Sequence, residues 1–111
     1  IAHLIAQLDP CCSLYIAKVT ESKTRVDKER VTQAIRWAIN EKVDIINLSL
    51  VLYSEDAALL AVIEEAHNAG IIIFCATADK GYTPQDIWPA KYGTSYDSIF
   101  PVCSSTANGR I

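Results

Sequence analysis

From Val43 to Leu52 the chain reads Val-Asp-Ile-Ile-Asn-Leu-Ser-Leu-Val-Leu, a nearly unbroken apolar run between two stretches of helical periodicity. A strand buried on both faces of a parallel sheet has that pattern. Asn47 and Ser49 interrupt it at strand spacing. A polar side chain at that depth costs free energy unless it is hydrogen-bonded. Each therefore needs a structural partner, or a ligand at the strand's C-terminal end, where open α/β sheets place their sites.

The rest of the chain alternates helix and strand around this run. Ile1, Leu4, Ile5 and Leu8 recur at helical spacing until Asp9-Pro10 stops them. Ser13-Leu-Tyr-Ile-Ala-Lys-Val19 reads as a strand, and a polar turn follows it. Asp27 is a good N-cap for a helix whose apolar stripe is Val31, Ala34, Ile35, Ala38 and Ile39, with Trp37 off its centre. After the central run, Ser54-Glu-Asp supplies a cap and two carboxylates to a helix with the stripe Leu59, Val62, Ile63 and Ala66, ended by Gly70. Ile71 to Ala76 reads as a second buried strand, residues 77–98 as a loop rich in Gly, Pro and aromatics, and Ile99 to Cys103 as a last strand. Pro101 cannot donate to a ladder, which places that strand at an edge or on a bulge. The order predicts an α/β domain with right-handed crossovers on a parallel sheet.

Composition narrows the class. The 111 residues make one domain at most, and 50% hydrophobic with 21% charged residues describes a folded globular chain. A formal net charge of -3 without a basic cluster argues against nucleic acid or an anionic membrane surface as partner. The apolar runs are too short and too interrupted to span a bilayer, and the N-terminus lacks the order of a signal peptide. The chain opens without Met at Ile1, inside an apolar pattern, which leads us to expect a piece of something longer. Cys11, Cys12, Cys75 and Cys103 form no Cys-x-x-Cys pair and have no His at ligand spacing. They read as buried small hydrophobes and lean towards an intracellular setting; neither metal nor cofactor is expected. No glycine-rich cradle for a nucleotide follows a strand.

Several blocks carry a resemblance. Asp44-Ile-Ile-Asn-Leu-Ser-Leu50 resembles the substrate-binding strand of subtilisin-like serine proteases, usually close to D-V-I-N-x-S-L-G-G. Ala66-His-Asn-Ala-Gly70, running into Ile71-Ile-Ile-Phe-Cys-Ala-Thr-Ala-Asp79, resembles the family's approach to A-A-G-N, whose Asn donates to the oxyanion. Ser13 to Val19 is similar to a preceding core strand, and Trp88-Pro-Ala-Lys-Tyr92 to the later Y-P-A-x-Y segment. The blocks keep the family's order and spacing along essentially the whole chain. The resemblance implies a subtilisin-like three-layer αβα fold with a mostly parallel sheet, of which residues 1–111 are the central part of the peptidase domain. It also implies that Trp88-Pro89 is cis.

Carried over residue by residue, the resemblance makes Ser49, Leu50 and Val51 substrate-strand positions, where a polypeptide is held as an added strand. It makes Ala76, Thr77 and Ala78 the pocket wall and Asp79 the oxyanion position. None of the triad is expected in the chain: Ile1-Ala-His-Leu-Ile-Ala6 aligns just after the family's H-G-T-H motif, and the nucleophilic Ser falls beyond Ile111. His3 stands where the family has Gly, and His67, in a helix's last turn, reads as a surface residue. Gly93-Thr-Ser95 spells the nucleophile motif, but no long helix follows it, so it reads as a turn. Glu55-Asp56 and Glu64-Glu65 read as solvated helix faces.

Two departures bear on activity. Val51 and Leu52 replace the two glycines that leave room for a substrate side chain, so a large P1 residue clashes with Val51. Asp79 replaces the oxyanion Asn; an ionised carboxylate repels the developing charge, whereas a protonated one still donates. The implied parent is a serine-type endopeptidase, with this segment alone inactive; the alternative is a pseudoprotease that keeps the fold for binding.

Overall fold

The structure is a computed structural model, and it describes residues 1–22, 25–77 and 87–110. In chain order it has α1 (Ala2–Leu8), α2 (Lys28–Asn40), β1 (Ile45–Leu48), α3 (Ala57–Asn68), β2 (Ile72–Ala76), a 3-10 helix (Ala90–Thr94) and β3 (Ile99–Val102). The strands form one parallel sheet in the order β1-β2-β3. The expected α/β class with a parallel sheet is what the chain adopts.

Helix α2 starts as its sequence demands, with Asp27 Oδ1 accepting the Glu29 N–H at 2.9 Å. Its buried residues are Val31, Thr32, Ile35 and Ala38. It ends without glycine: Lys42 takes φ 56°, and the Lys42 and Val43 N–H groups donate to Ile39 O and Ala38 O. The cap of α3 is Asp56 rather than Ser54; Asp56 Oδ1 accepts the Ala58 N–H at 2.9 Å, while Ser54 Oγ accepts from Lys28 Nζ at 2.8 Å. The α3 stripe Leu59, Val62, Ile63 and Ala66 is fully buried as patterned. Gly70, at φ 77°, closes that helix in the left-handed conformation a side chain resists.

One face of the sheet, with Ile46, Leu48, Ile73, Cys75 and Ile99, joins these helix stripes in a single core. The register sets the opposite face: Ile45 beside Ile72, Asn47 beside Phe74 beside Phe100, and Ala76 beside Val102. That face stays open, with Ile45 55% and Phe100 46% exposed. β1 is therefore buried on one face, not two. Asn47 and Ser49 lie towards the exposed side and satisfy each other, Asn47 Nδ2 donating to Ser49 Oγ at 2.8 Å.

Two further expectations change. Ser13 to Val19 forms no strand; its apolar side chains Leu14, Tyr15 and Ile16 are exposed, because no neighbouring strand among the described residues supplies a ladder. Helix α1 forms where expected but buries no residue. Of the four cysteines, all free, only Cys75 is buried; Cys11 and Cys103 are exposed and Cys12 is half-buried. Pro101 does lie on an edge strand, opposite Cys75.

Candidate functional site

Parallel pairing puts the C-terminal ends of β1 and β2 side by side, Leu48 opposite Cys75. One step beyond that pair come Ser49 on one strand and Ala76 on the other; Leu50 and Thr77 follow. Thr77 is tied to the neighbouring strand: its N–H donates to Val102 O at 3.0 Å, and Thr77 Oγ1 lies 3.4 Å from the same oxygen. Ala78 and Asp79 lie outside the described residues.

Past Ser49 the backbone changes partner. Leu52 and Trp88 exchange both backbone hydrogen bonds, at 2.8 and 2.9 Å, as an isolated antiparallel bridge. Leu52 is buried, and Leu50 and Val51 pack half-buried against the core. Between the β1 ladder and this bridge, the N–H and C=O groups of Ser49, Leu50 and Val51 have no backbone partner among the described residues. A segment whose backbone groups lack backbone partners among the described residues, held at both ends, can take an added strand.

The Trp88-Pro89 bond is cis, as expected. Ile87, Pro89, Ala90 and Tyr92 are buried around it, and Lys91 Nζ sits 5.3 Å from the centre of the Trp88 ring. The Trp88 Nε1–H and the Tyr92 hydroxyl are buried without a hydrogen-bond partner among the described residues. Burial, with the carboxylates of Glu55 and Asp56 nearby, pushes the Tyr92 phenol up to about 12.

His67 is the residue whose setting the sequence did not announce. Its Nδ1 is 2.7 Å from Ser98 Oγ and 4.0 Å from Asp97 Oδ1, and its ring packs on Tyr96 with centroids 5.0 Å apart. A His, a Ser and an Asp thus meet, but both partners approach the same ring nitrogen. A relay needs the serine on one nitrogen and the carboxylate on the other, so this cluster ties the end of α3 to the entry of β3 and is no triad. The partners are 31 residues apart, and no local signal links them. Gly93-Thr-Ser95 ends the 3-10 helix instead of opening a long helix, as a turn reading requires.

Among the described residues no three His, Cys, Asp or Glu side chains converge to hold a metal ion, and no helix is long and apolar enough to cross a membrane.

Comparison with known proteins agrees with this architecture. The sequence pattern of the Subtilase family (peptidase S8) matches residues 5–111. A subtilisin-like protease het-Q2 of Podospora anserina is 37% identical over 100 residues, covering 82% of this chain and 27% of that protein. Subtilisin E of Bacillus subtilis is 33% identical over 86 residues, covering 75% and 23%, and a thermostable alkaline protease of Halalkalibacterium halodurans is 31% identical over 101, covering 91% and 27%. The chain thus spans about a quarter of the length of these relatives. With the match running over nearly every residue, the chain belongs to the subtilase family.

Proposed function

We propose that residues 1–111 are the substrate-side, central portion of a subtilisin-like serine endopeptidase domain, whose triad is supplied by segments outside them. The observation that carries this reading is the backbone of Ser49, Leu50 and Val51, without a backbone partner among the described residues and held between the β1 ladder and the Leu52–Trp88 bridge. A polypeptide substrate adds there as a strand, its main chain bonded to these three residues. The family resemblance assigns Ala76, Thr77 and Ala78 to the pocket wall and Asp79 to the oxyanion position. The segment binds and orients; it holds no nucleophile and does not hydrolyse by itself.

A second reading, a pseudoprotease that grips peptides without cutting them, is favoured by one feature. Leu52 stands where the family carries a glycine, and it is core: 4% exposed and bonded through both backbone groups. Val51, packed against the same core, narrows the space for a P1 side chain.

A serine-directed fluorophosphonate separates the two when applied to the longer protein that contains this chain, with a denatured sample as control. Labelling of a serine beyond Ile111, unchanged by Ser95→Ala, supports the endopeptidase. Absence of labelling in demonstrably folded protein overturns it in favour of the pseudoprotease.

A further inference from the structure

Cys11 and Cys12 are adjacent, free and accessible: Cys11 is exposed and Cys12 half-buried. They sit in the turn that follows α1, where Asp9 Oδ1 accepts the Cys11 N–H at 3.1 Å and Asp9 O accepts the Cys12 N–H at 3.3 Å. Their peptide bond is trans, since the cis bond among the described residues is Trp88-Pro89. Across a trans bond the Cα atoms are about 3.8 Å apart. Unstrained disulfides need roughly 4.4–6.8 Å, so a Cys11–Cys12 disulfide is strained and readily reduced. In the structure both are free thiols.

A single atom placed between the two sulfurs enlarges the ring and removes the stiff S–S torsion. We propose that Cys11 and Cys12 are a vicinal dithiol site for a thiophilic metalloid of the trivalent arsenical class, bridged by both thiols. A tetrahedral zinc ion fits less well, because it takes four ligands and no third His, Cys, Asp or Glu joins the pair among the described residues. Nor do the other cysteines compete. Cys75 is buried, its thiol pushed up to about 11 by desolvation, and Cys103 is exposed but has no neighbouring thiol in sequence. The step is a condensation: a phenylarsine oxide and two thiols give a phenylarsenic dithiolate and one water. Two As–S bonds form, both thiol protons leave on the arsenical's oxygen, and nothing is oxidised or reduced.

This site is independent of the proteolytic reading, and its test does not use activity. The longer protein containing this chain, reduced and freed of thiol, is treated with one equivalent of phenylarsine oxide and mapped by mass spectrometry. The expected product is one phenylarsenic on the peptide holding Cys11 and Cys12, retained through a monothiol wash and released by a dithiol. It is lost in Cys11→Ser and in Cys12→Ser and kept in Cys103→Ser, with circular dichroism unchanged in all three. Labelling elsewhere only, removal by monothiol, or retention in either of the first two variants overturns the site.

Discussion

Gly93→Ala is a direct test of how the 3-10 helix meets the sheet. A Cβ built on Gly93 lies 2.8 Å from Cγ and 2.9 Å from Cδ of Pro101. Carbon pairs attract near about 3.5 Å, so the closer contact is short by roughly 0.7 Å. Pro101 cannot turn its ring aside, and it is fixed in β3 opposite Cys75. Either β3 or the 3-10 helix has to move. Overpacking of this kind costs about 1–3 kcal/mol. Gly93 lies outside the left-handed region, so alanine also stiffens the unfolded chain and returns about 0.4–1 kcal/mol. The net expectation is a loss of about 1–2 kcal/mol, read by denaturant unfolding of the longer protein that contains the chain. Pro101→Ala removes the obstructing ring atoms, so Gly93→Ala combined with it recovers most of the loss, with a coupling of about 0.5–3 kcal/mol. A neutral Gly93→Ala, or a double variant no better than the single, refutes the contact.

Three other outcomes follow from the geometry. Asp56→Ala removes the α3 cap and costs about 0.5–2 kcal/mol, whereas Ser54→Ala loses only the exposed Lys28 contact and stays within about 0.5 kcal/mol; denaturant unfolding of the pair decides which residue is the cap. Lys42→Gly relieves a left-handed lysine, strained by about 1–2 kcal/mol, and after glycine's own entropy cost of about 0.5–1 kcal/mol it raises stability by up to about 1.5 kcal/mol in the same assay. Cys75 is held protonated by burial, its thiol raised from 9.0 to about 11; its contribution to stability is complete below the unfolded value and is lost as pH rises from 9 towards 11. Tyr92 acts in the same direction from 10 to about 12, so unfolding measured between about pH 9 and 10 should show a fall that Cys75→Ala flattens.

Elements whose cause is local were legible in the sequence. The Asp27 cap, the four-residue stripe of α3, the stop at Gly70 and the edge position of Pro101 each follow from a few neighbouring side chains. What was illegible depends on partners distant in sequence. Ser13 to Val19 has strand composition, but a strand exists only by pairing, and nothing described pairs with it. His67 met the rule for a cation at a helix C-terminus and gave no hint of Ser98. Ser54-Glu-Asp reads as a cap followed by two carboxylates, yet the last carboxylate is the cap, because Asp56 reaches the Ala58 N–H. In the site itself, resemblance marked Ser49 to Val51, while only the structure brings Trp88 across to bond Leu52.

The open sheet face explains why the central run misled. A strand that is apolar on both faces belongs to a sheet covered on both, and β2 keeps that composition: Ile73 and Cys75 point into the core, Ile72 and Phe74 away from it. The residues beside the outward pair are apolar as well, and Phe74 stacks on Phe100 at 5.4 Å. Helices α2 and α3 have stripes enough for one face, and each is already committed to the core. On the proposed reading, with residues 1–111 part of a larger peptidase domain, the remainder of that domain supplies the second layer and the strand that Ser13 to Val19 lacks. The Ser49–Val51 backbone would then be the part of this edge left free for a substrate, because Leu52 already spends both its groups on Trp88 and Thr77 anchors the neighbouring strand to Val102.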